Sequence, residues 1–258
     1  MQQKFQPEET MRLYKDLSWL WPIISPPETY QEEGEFLIRK IIEYGGEKVK
    51  QILDLGCGGG HLDSVLKKAF QITGIDINPQ MLLLAKKLNP EVEYRIDDMR
   101  LARLAMKFDA VVIHDAICHM TSLDELKAAF LTAQTHLESG GVMLTIIEEW
   151  PEHFVQNRTV VSHHRKDNVE VTYIENNYDP EPGDGTYECT YVYLIRRKGF
   201  LDIQTDRHLL GMFPIADWRA AMVEVGFMVT EDRFILSKYP DATSTSGLEL
   251  PMLIGKKK

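Results

Sequence analysis

Hydrophobic and polar positions in the middle of the chain change repeatedly between a strand-like and a helix-like period. Short apolar runs, typical of buried strands, occur at "VKQILDL", "QITGIDI", "VEYRI", "FDAVVIH" and "VMLTIIE". Between several of them lie longer segments with apolar residues three or four positions apart, such as "PQMLLLAKKL" and "TSLDELKAAFLTAQTHLESGG". This alternation predicts an α/β fold with a Rossmann-like, doubly wound and mostly parallel sheet that carries helices on both faces.

Residue types at the predicted helix ends support this assignment. We expect Pro79 in the first turn of its helix, where a missing backbone N–H is harmless. Ser122 and Glu125 have the spacing of a capping box, and we expect Gly140–Gly141 to end the helix that this box begins. An apolar helix nearer the N-terminus is expected to end at Gly45–Gly46.

The pattern changes near residue 151. Alternating apolar and polar residues in "VEVTYIENNY", "TYECTYVYLIRR" and "LDIQTDRHLL" predict an antiparallel meander of about three strands. Core elements then return with a helix and two strands that form an antiparallel terminal hairpin, so we interpret the meander as an insertion over one core. The predicted organisation is an N-terminal helical lid (1–48), an α/β core (49–150), an antiparallel β cap (151–213), and the last helix and strand hairpin of the core (214–258).

Charge and cysteine content narrow the classes of partner. The formal net charge of −10 and the pI near 5.3 argue against a nucleic-acid partner. The three cysteines are far apart and form no CxxC pair, which favours neither a zinc site nor a disulfide framework and fits a reducing cytoplasm. The first residues lack the apolar core of a signal peptide, and no apolar run approaches the ~20 residues of a membrane span. We expect a cytoplasmic monomer or homodimer without a membrane partner.

A glycine-rich turn is predicted where the first strand of the core meets its helix. "ILDLGCGGG" places Gly56, Gly58 and Gly60 in this turn, where they allow a ligand to approach the backbone. Asp76 ends the second strand, at the position where nucleotide-binding α/β folds place an acidic residue on ribose hydroxyls. These residues predict a nucleotide-like ligand at the carboxyl ends of the strands.

Two ligands compete for this turn. The dinucleotide fingerprint GxGxxG requires a glycine at position 61, which is His61 here. The spacing is instead GxGxG, and acidic Asp54 precedes it. A carboxylate beside the turn suits a positively charged ligand better than a pyrophosphate.

The complete set of motifs resembles the class I S-adenosylmethionine-dependent methyltransferases. The matching segments are "ILDLGCGGG", "GIDINPQML", "IDDM", "FDAVV" and "HLESGGVMLT", in that order. Within this class the chain is most similar to the small-molecule N-methyltransferases that act on amino sugars, which share the N-terminal "Y…TYQEE", "CHM" after strand four and "EEWPEHF" after strand five. The resemblance implies that S-adenosyl-L-methionine is the cofactor and S-adenosyl-L-homocysteine the product.

The resemblance also implies which residues hold the cofactor. Asp76 would bind the ribose hydroxyls, Asp98 would accept from the adenine amino group, and Asp54 would lie near the amino end of the methionine part. In "IDDM", Asp97 replaces a frequent glycine, which puts the local backbone in question. The complete expected set is Tyr14, Tyr30, Asp54, Gly56, Cys57, Gly58, Asp76, Ile77, Met81, Asp98, Met99 and His114.

The stretch "IHDAICHM" carries the candidate catalytic residues. His119 follows strand four, where ligands of open α/β sheets bind, and its ordinary pKa suits proton acceptance; its other interpretation is packing beneath the cofactor. His114, at the strand end, is expected to contact the cofactor or to orient the substrate. The adjacent His114 and Asp115 resemble a metal-binding pair, but such pairs in phosphohydrolases lie on helices, so no metal is expected.

The expected reaction is in-line methyl transfer to an N or O atom of a small-molecule acceptor, with His119 as the candidate general base. The cap and the lid are expected to line the acceptor pocket with Trp21, Trp150, Tyr191 and His208. Two alternatives stay open at this point. One is an NAD(P)-dependent oxidoreductase, and the other is a non-catalytic protein that binds S-adenosylmethionine.

Overall fold

The computed structural model describes residues 10–236 and 248–258. Within these residues the strands are β1 (Gln51–Leu55), β2 (Gln71–Asp76), β3 (Glu93–Ile96), β4 (Phe108–Ile113), β5 (Leu137–Ile146), β6 (Arg158–Lys166), β7 (Val169–Tyr178), β8 (Thr186–Arg197), β9 (Phe200–Gly211), β10 (Phe227–Leu236) and β11 (Leu248–Lys257). The α-helices are α1 (Trp21–Ile24), α2 (Gln31–Gly45), α3 (Asp63–Leu66), α4 (Pro79–Leu88), α5 (Leu123–His136) and α6 (Ile215–Glu224).

A seven-stranded sheet forms the core, in the order β10-β11-β5-β4-β1-β2-β3. Strands β1 to β5 are parallel to one another, and β11 is antiparallel to both β5 and β10. The prediction of a Rossmann-like, mostly parallel sheet with an antiparallel terminal hairpin is therefore confirmed. The carboxyl ends of β1, β4 and β5 lie side by side at one edge of this sheet, which is where the site is built.

Both faces of the core sheet are covered at its centre, which explains why the inner strands β1, β2 and β4 are buried almost throughout. One face packs against α5 and α6 through residues such as Phe130 and Trp218. The opposite face packs against α2 and α3 through Leu37, Ile41 and Leu66. Because all of these side chains are buried, the core holds the strand ends, and the site residues on them, in fixed positions.

The cap is a separate antiparallel sheet in the order β6-β7-β8-β9. It has four strands, whereas the sequence predicted about three. The unpredicted strand is β6, which alternates between half-buried and exposed positions and contains no fully buried residue. Its sequence, "RTVVSHHRK", therefore lacks the strong apolar alternation by which β7 to β9 were predicted.

The N-terminal segment is less helical than predicted. Residues 1–9 of the predicted lid lie outside the described residues. From Arg12 to Tyr30 the chain forms short 3₁₀ turns and the single-turn helix α1, and only α2 is long. Pro22, Pro26 and Pro27 interrupt the region because proline cannot donate a helical hydrogen bond. The segment packs on the cap, where Leu13 and Leu20 join its apolar cluster, whereas α2 packs on the core.

The predicted helix ends are partly correct. Pro79 begins α4, Gly45 ends α2, and the Ser122 hydroxyl accepts from the Glu125 N–H at 3.3 Å as the first half of a capping box. The prediction that Gly140–Gly141 end α5 is wrong, because α5 stops at His136 and both glycines belong to β5.

The structure explains the position of Gly141 and the early end of the helix. A β carbon on Gly141 would lie 2.9 Å from the backbone oxygen of Asp109, so glycine permits close pairing with β4. His136 accepts a hydrogen bond from the Leu104 N–H at 2.8 Å, which fixes the end of α5 against a loop. The segment "HLDSVLKKAF" is also less regular than predicted, with only Asp63–Leu66 in α3. In the part of the chain that the structure describes, no helix is both long enough and apolar enough to cross a membrane.

Candidate active site

The glycine turn between β1 and α3 is held against the end of β2. The N–H groups of Gly56 and Cys57 donate to the Ile75 carbonyl at 2.7 and 2.9 Å, and the Gly58 N–H donates to Asp76 Oδ2 at 2.9 Å. Gly56 and Gly58 have positive φ angles of 85° and 51°, which favour glycine over other residues. The turn therefore has one fixed shape, set by backbone bonds and by one carboxylate.

This turn fits the cofactor that the sequence implies. A β carbon added to Gly58 would meet only the Met81 Cε atom, at 3.6 Å, so the space over the turn is open to a ligand. Asp76 accepts from the Asn78 N–H at 2.7 Å as well as from Gly58. Its carboxylate retains further lone pairs that can accept from ribose hydroxyls. Met81 is buried beside the turn, whereas Ile77 is exposed.

Asp54 lies behind the turn and is paired with another acid. Its side chain is buried and shares a hydrogen bond with Asp63. Burial and the negative charge of Asp63 raise the pKa of Asp54 well above its usual range. Asp63 also accepts from the Tyr94 hydroxyl at 2.9 Å. Asn89 donates to both that hydroxyl, at 2.9 Å, and the Gly60 carbonyl, at 2.7 Å. The sequence did not indicate Asp63, Asn89 or Tyr94, which together support the turn from below.

The "IDDM" loop lies on the other side of the turn. Asp98 is bound by Arg100, with Nη2 and Oδ2 2.6 Å apart, and this guanidinium lowers the pKa of Asp98. Arg100 also contacts Glu125 at the start of α5. The Met99 methyl would lie 2.8 Å from a β carbon on Gly56. Asp98 is therefore an ionised carboxylate anchored by Arg100, and Met99 lies against the turn.

The stretch "IHDAICHM" begins with a tight turn at the end of β4. Asp115 has φ +37° and ψ −57°, and the Ala116 N–H donates to the His114 carbonyl, two residues back. A non-glycine residue with such a φ is strained, and strain of this kind is concentrated at functional sites. The turn brings Ala116 against Gly56, where the two β carbons would be 2.3 Å apart if Gly56 carried one.

Three carboxylates surround His114. Its Nδ1 lies 2.5 Å from Asp115 Oδ1, and its Nε2 lies 3.2 Å from Glu33 Oε1. Glu148, just beyond β5, shares a hydrogen bond with Asp115. Ligand atoms of His114, Asp115 and Glu148 all lie within 4.8 Å of one another. We refer to Glu33, His114, Asp115 and Glu148 as the carboxylate cluster.

The charges of the carboxylate cluster are strongly coupled. Burial opposes the charge on His114, but the negative charges of Asp115 and Glu33 outweigh it and raise the pKa of His114 to about 10. Although its surroundings oppose ionisation, Asp115 has a pKa below its usual range because His114 stabilises the carboxylate. Burial raises the pKa of Glu33 to about 7. At neutral pH, therefore, the pair His114–Asp115 is ionised.

A second group of side chains surrounds His119. The Tyr14 hydroxyl lies 3.4 Å from His119 Nε2, and the two rings meet edge to face with centroids 5.5 Å apart. The His208 ring lies 5.2 Å from Tyr14, 5.6 Å from His119 and 4.8 Å from Tyr191. We refer to Tyr14, His119, Tyr191 and His208 as the aromatic cluster. Burial, with a contribution from His208, lowers the pKa of His119 to about 3, so His119 is neutral at physiological pH.

Asp206 connects the aromatic cluster to the N-terminal segment. Its Oδ2 atom lies 3.0 Å from His208 Nε2 and accepts from the Leu13 N–H at 2.7 Å. Met11 and Arg207 add a backbone hydrogen bond of 3.3 Å between the same two segments. Tyr14 is therefore held over His119 by the cap rather than by the core.

The expected acceptor-pocket residues divide into two groups. Tyr191 and His208 belong to the aromatic cluster, and the Trp21 ring lies 6.0 Å from that of Tyr14. Trp150 instead stacks on His153, with centroids 4.4 Å apart. Tyr30, expected at the cofactor, hydrogen-bonds Ser25 at 2.8 Å and packs edge to face on His61.

Sequence reasoning missed three charged residues of the site, which are Glu33, Glu148 and Asp206. Glu148 follows the carboxyl end of a parallel strand, so its position after β5 was a signal that could have identified it. Glu33 lies on α2 and Asp206 on β9, where acidic residues are ordinary. Only the packing of these elements brings them to the site.

Comparisons with known proteins agree with the geometry. A family model described as a methyltransferase domain matches residues 52–141. A dTDP-3-amino-3,4,6-trideoxy-alpha-D-glucopyranose N,N-dimethyltransferase of Streptomyces venezuelae is 30% identical over 187 residues, which cover 70% of this chain and 77% of that protein. A putative methyltransferase of Geobacillus sp. is 24% identical over 253 residues, which cover 95% of this chain and 99% of that protein.

Solved structures share the whole fold. The crystal structure of Streptomyces venezuelae DesVI aligns with a TM-score of 0.77 at 24% identity, over 94% of this chain and 96% of that one. The amino pentose methyltransferase CalS10 from Micromonospora echinaspora, solved with bound S-adenosylmethionine, aligns with a TM-score of 0.73 at 21% identity, over 89% of this chain and 92% of that one.

The sheet order, the glycine turn and Asp76 together form a site for a nucleotide-like cofactor at the carboxyl ends of the strands. The chain is also 30% identical to the Streptomyces venezuelae methyltransferase over most of its length, and it matches the methyltransferase domain model. Together these findings identify the protein as an enzyme that uses S-adenosylmethionine as its cofactor. The chain belongs to the S-adenosylmethionine-dependent methyltransferase family. The oxidoreductase alternative is therefore not supported.

Proposed function

We propose that the enzyme methylates an amine nitrogen of a small molecule of the amino-sugar class. Three relatives support this choice of acceptor, because each is named as an N,N-dimethyltransferase of a dTDP-linked amino sugar. Their sequences match this chain over 42% to 70% of its length. The observation in this chain that carries the proposal is the aromatic cluster beside the glycine turn.

The aromatic cluster offers what an amine acceptor needs. Because His119 is neutral, one of its ring nitrogens has a free lone pair that can accept from an N–H group. The aromatic ring of Tyr14, beside His119, can attract a cationic ammonium group. In this proposal the cluster holds the acceptor nitrogen in line with the methyl donor.

Methyl transfer requires that the acceptor nitrogen be aligned with the methyl donor and that one proton be removed from this nitrogen. The cofactor supplies a methyl carbon on a sulfonium, which is both electrophile and leaving group. The acceptor nitrogen uses its lone pair to form the N–C bond while the S–C bond breaks and its electron pair stays on sulfur. Correct orientation of two bound reactants can lower the barrier by roughly 7–11 kcal/mol, so holding the acceptor is a major part of the catalysis.

His119 was the candidate general base. With a pKa of about 3, a proton moving from an ammonium group to His119 would go strongly uphill. We therefore propose that His119 orients the acceptor by a hydrogen bond. Its removal would then affect catalysis more than cofactor binding.

The class of acceptor, the cellular compartment and the oligomeric state of the enzyme are also proposals. We propose a small-molecule acceptor and no nucleic-acid substrate, in keeping with the net charge of −10. Three free thiols, at Cys57, Cys118 and Cys189, are in keeping with a reducing cytoplasm. A monomer or a homodimer is proposed, and light scattering of the purified protein distinguishes them.

The test is an acceptor panel assayed by mass spectrometry. The enzyme and S-adenosylmethionine are incubated with dTDP-amino sugars, with the matching dTDP-sugars that carry hydroxyl in place of the amine, and with a catechol. We expect methylated product from the amines alone, together with S-adenosylhomocysteine. Methylation of the hydroxyl compounds would contradict an amine acceptor, and tight cofactor binding without turnover on any compound would favour the non-catalytic alternative.

A further inference from the structure

The carboxylate cluster is not used by the function proposed so far. Asp115 and Glu148 are exposed to solvent, and yet protein groups lie close around them, as for side chains that line a cleft. His114 and Glu33 lie behind them with only 11% and 14% of their side chains exposed. The cluster therefore presents two carboxyl groups to solvent and keeps its imidazole inside.

The pair lies beside the position of the methyl donor. Strands β5, β4 and β1 are neighbours, so Glu148, Asp115 and Gly56 follow the carboxyl ends of three adjacent strands. Contact between Ala116 and Gly56 places the residue after Asp115 directly on the glycine turn.

Asp115 and Glu148 hold one proton between their two carboxyl groups when no cofactor is bound. Glu148 is faced by Asp115 from the loop after β4, by His114 from the end of β4 and by Glu33 from α2. Enclosure by protein, and then the charge of Asp115, raise the pKa of Glu148 well above its usual range. His114 keeps Asp115 ionised, so the shared proton resides on Glu148.

We propose that Glu148, hydrogen-bonded to Asp115, is the proton acceptor for the substrate amine, and that it becomes a base only in the complex with the cationic cofactor. The inference rests on the proposed amine acceptor. A positive charge near the pair favours its ionised form, so Glu148 releases its proton to solvent in that complex. Asp115 is a positioning residue that holds Glu148 and sets its charge.

The proton balance closes over one cycle. Glu148 loses one proton to solvent in the cofactor complex. The ammonium form of the acceptor then gives one proton to the Glu148 carboxylate and becomes the free amine. After the N–C bond has formed, the product leaves as a methylammonium ion and the spent cofactor is a neutral sulfide. Glu148 keeps its proton, which restores the starting state, and the net release is one proton for each methyl group transferred.

Calorimetry tests the first half of this cycle without any acceptor. Binding of S-adenosylmethionine and of S-adenosylhomocysteine is measured in two buffers that differ in ionisation enthalpy. Both ligands carry the same amino and carboxylate groups, so the difference between them reports the sulfonium charge. We expect binding of S-adenosylmethionine to release up to one proton more than binding of S-adenosylhomocysteine. As the pH rises, the affinity for S-adenosylmethionine should increase relative to that for S-adenosylhomocysteine, by at most about tenfold per pH unit.

Two variants and one control make the assignment specific. Glu148→Gln should abolish the extra proton release, keep the cofactor bound and lower kcat by about 10²-fold or more. Asp115→Asn, which tolerates the positive φ, should also change the proton release. Glu152→Gln alters an exposed acid four residues further on and should behave as the wild type. Equal proton release for both ligands in the wild type, or unchanged release in Glu148→Gln, would overturn the inference.

The two proposals fail in different ways. Methylation of an amine without cofactor-linked proton release would refute the role of Glu148 and leave the proposed function standing. Proton release without methylation of any amine would refute the proposed function and, with it, the base role. His114, Asp115 and Glu148 are also close enough to bind a divalent cation. If calorimetry with Mg²⁺ or Mn²⁺ showed tight binding that Glu148→Gln abolished, the pair would be a metal site and the inference would be wrong.

Discussion

Ala116 lies directly over Gly56, so that a β carbon on Gly56 would stand 2.3 Å from the β carbon of Ala116. Gly56 also has a φ of +85°. Gly56→Ala should therefore displace the loop that carries the candidate catalytic residues. We expect at least a tenfold loss of S-adenosylmethionine affinity and a loss of about 1–3 kcal/mol in unfolding free energy, measured by calorimetry and by urea denaturation.

Gly46→Ala is the matched control for this clash. Gly46 has a φ of +86°, but a β carbon there would meet nothing within 4 Å. Gly46→Ala therefore introduces the same kind of backbone strain as Gly56→Ala without a steric clash, so the cofactor affinity of this variant should equal that of the wild type. Equal losses of affinity in both variants would show that strain, and not contact with Ala116, is responsible.

Asp206 is expected to fasten the N-terminal segment to the cap. Asp206→Ala removes the acceptor of the Leu13 N–H and the partner of His208, and hydrogen bonds to charged groups contribute about 1.5–3 kcal/mol each. The segment should open, and trypsin should cleave faster after Arg12 and Lys15. Glu152→Ala, which alters an exposed acid outside both the N-terminal segment and β9, is the control. Cleavage rates that match in both variants would exclude this fastening role.

His119 should act without changing its protonation state. Because its pKa is lowered to about 3, the pH profile of kcat should contain no inflection near pH 6.5 that His119→Gln removes. The glutamine retains a hydrogen-bonding group and should keep kcat within about tenfold, whereas His119→Ala should lose about 10²-fold through misplacement of the acceptor. An inflection near pH 6.5 that disappears in both variants would instead support proton transfer to His119.

His114 should make the folded state less stable at high pH. The folded protein holds the His114 proton more tightly than the unfolded chain, since its pKa rises from 6.5 to about 10. This stabilisation is complete below pH 6.5 and is lost as the pH rises through about 10, at no more than about 1.4 kcal/mol per pH unit. Urea denaturation at pH 8 and pH 10 measures it. The same decline in His114→Gln would assign the effect to other groups.

Much of the fold could be predicted because each element carries its own periodicity. Strands β1 and β4 and the second half of β5 are buried, mainly apolar runs, and the Ser122 cap and Pro79 mark helix starts. Strand β6 was missed because none of its residues is fully buried, and the end of α5 was misplaced because Gly141 serves a strand contact. In both cases tertiary packing, and not local preference, decided the outcome.

The candidate site divides in the same way. Gly56, Gly58, Asp76 and His119 lie at or just beyond strand ends. The carboxyl ends of parallel strands meet at one edge of a sheet, so the proximity of these residues was predictable. Glu33 and Asp206 come from α2 and β9, elements whose positions relative to that edge no local pattern encodes. Their contacts with His114 and His208 therefore needed the structure.

The sequence by itself determined the fold class, the glycine turn and the kind of ligand, because these depend on residue type and spacing along the chain. Only the tertiary structure decided the charge states. His114 and His119 have the same ordinary pKa and lie five positions apart, yet one is held protonated by Asp115 and Glu33 and the other is held neutral by burial beside His208. Charge depends on the groups that surround a side chain in space, and those groups come from distant parts of the chain.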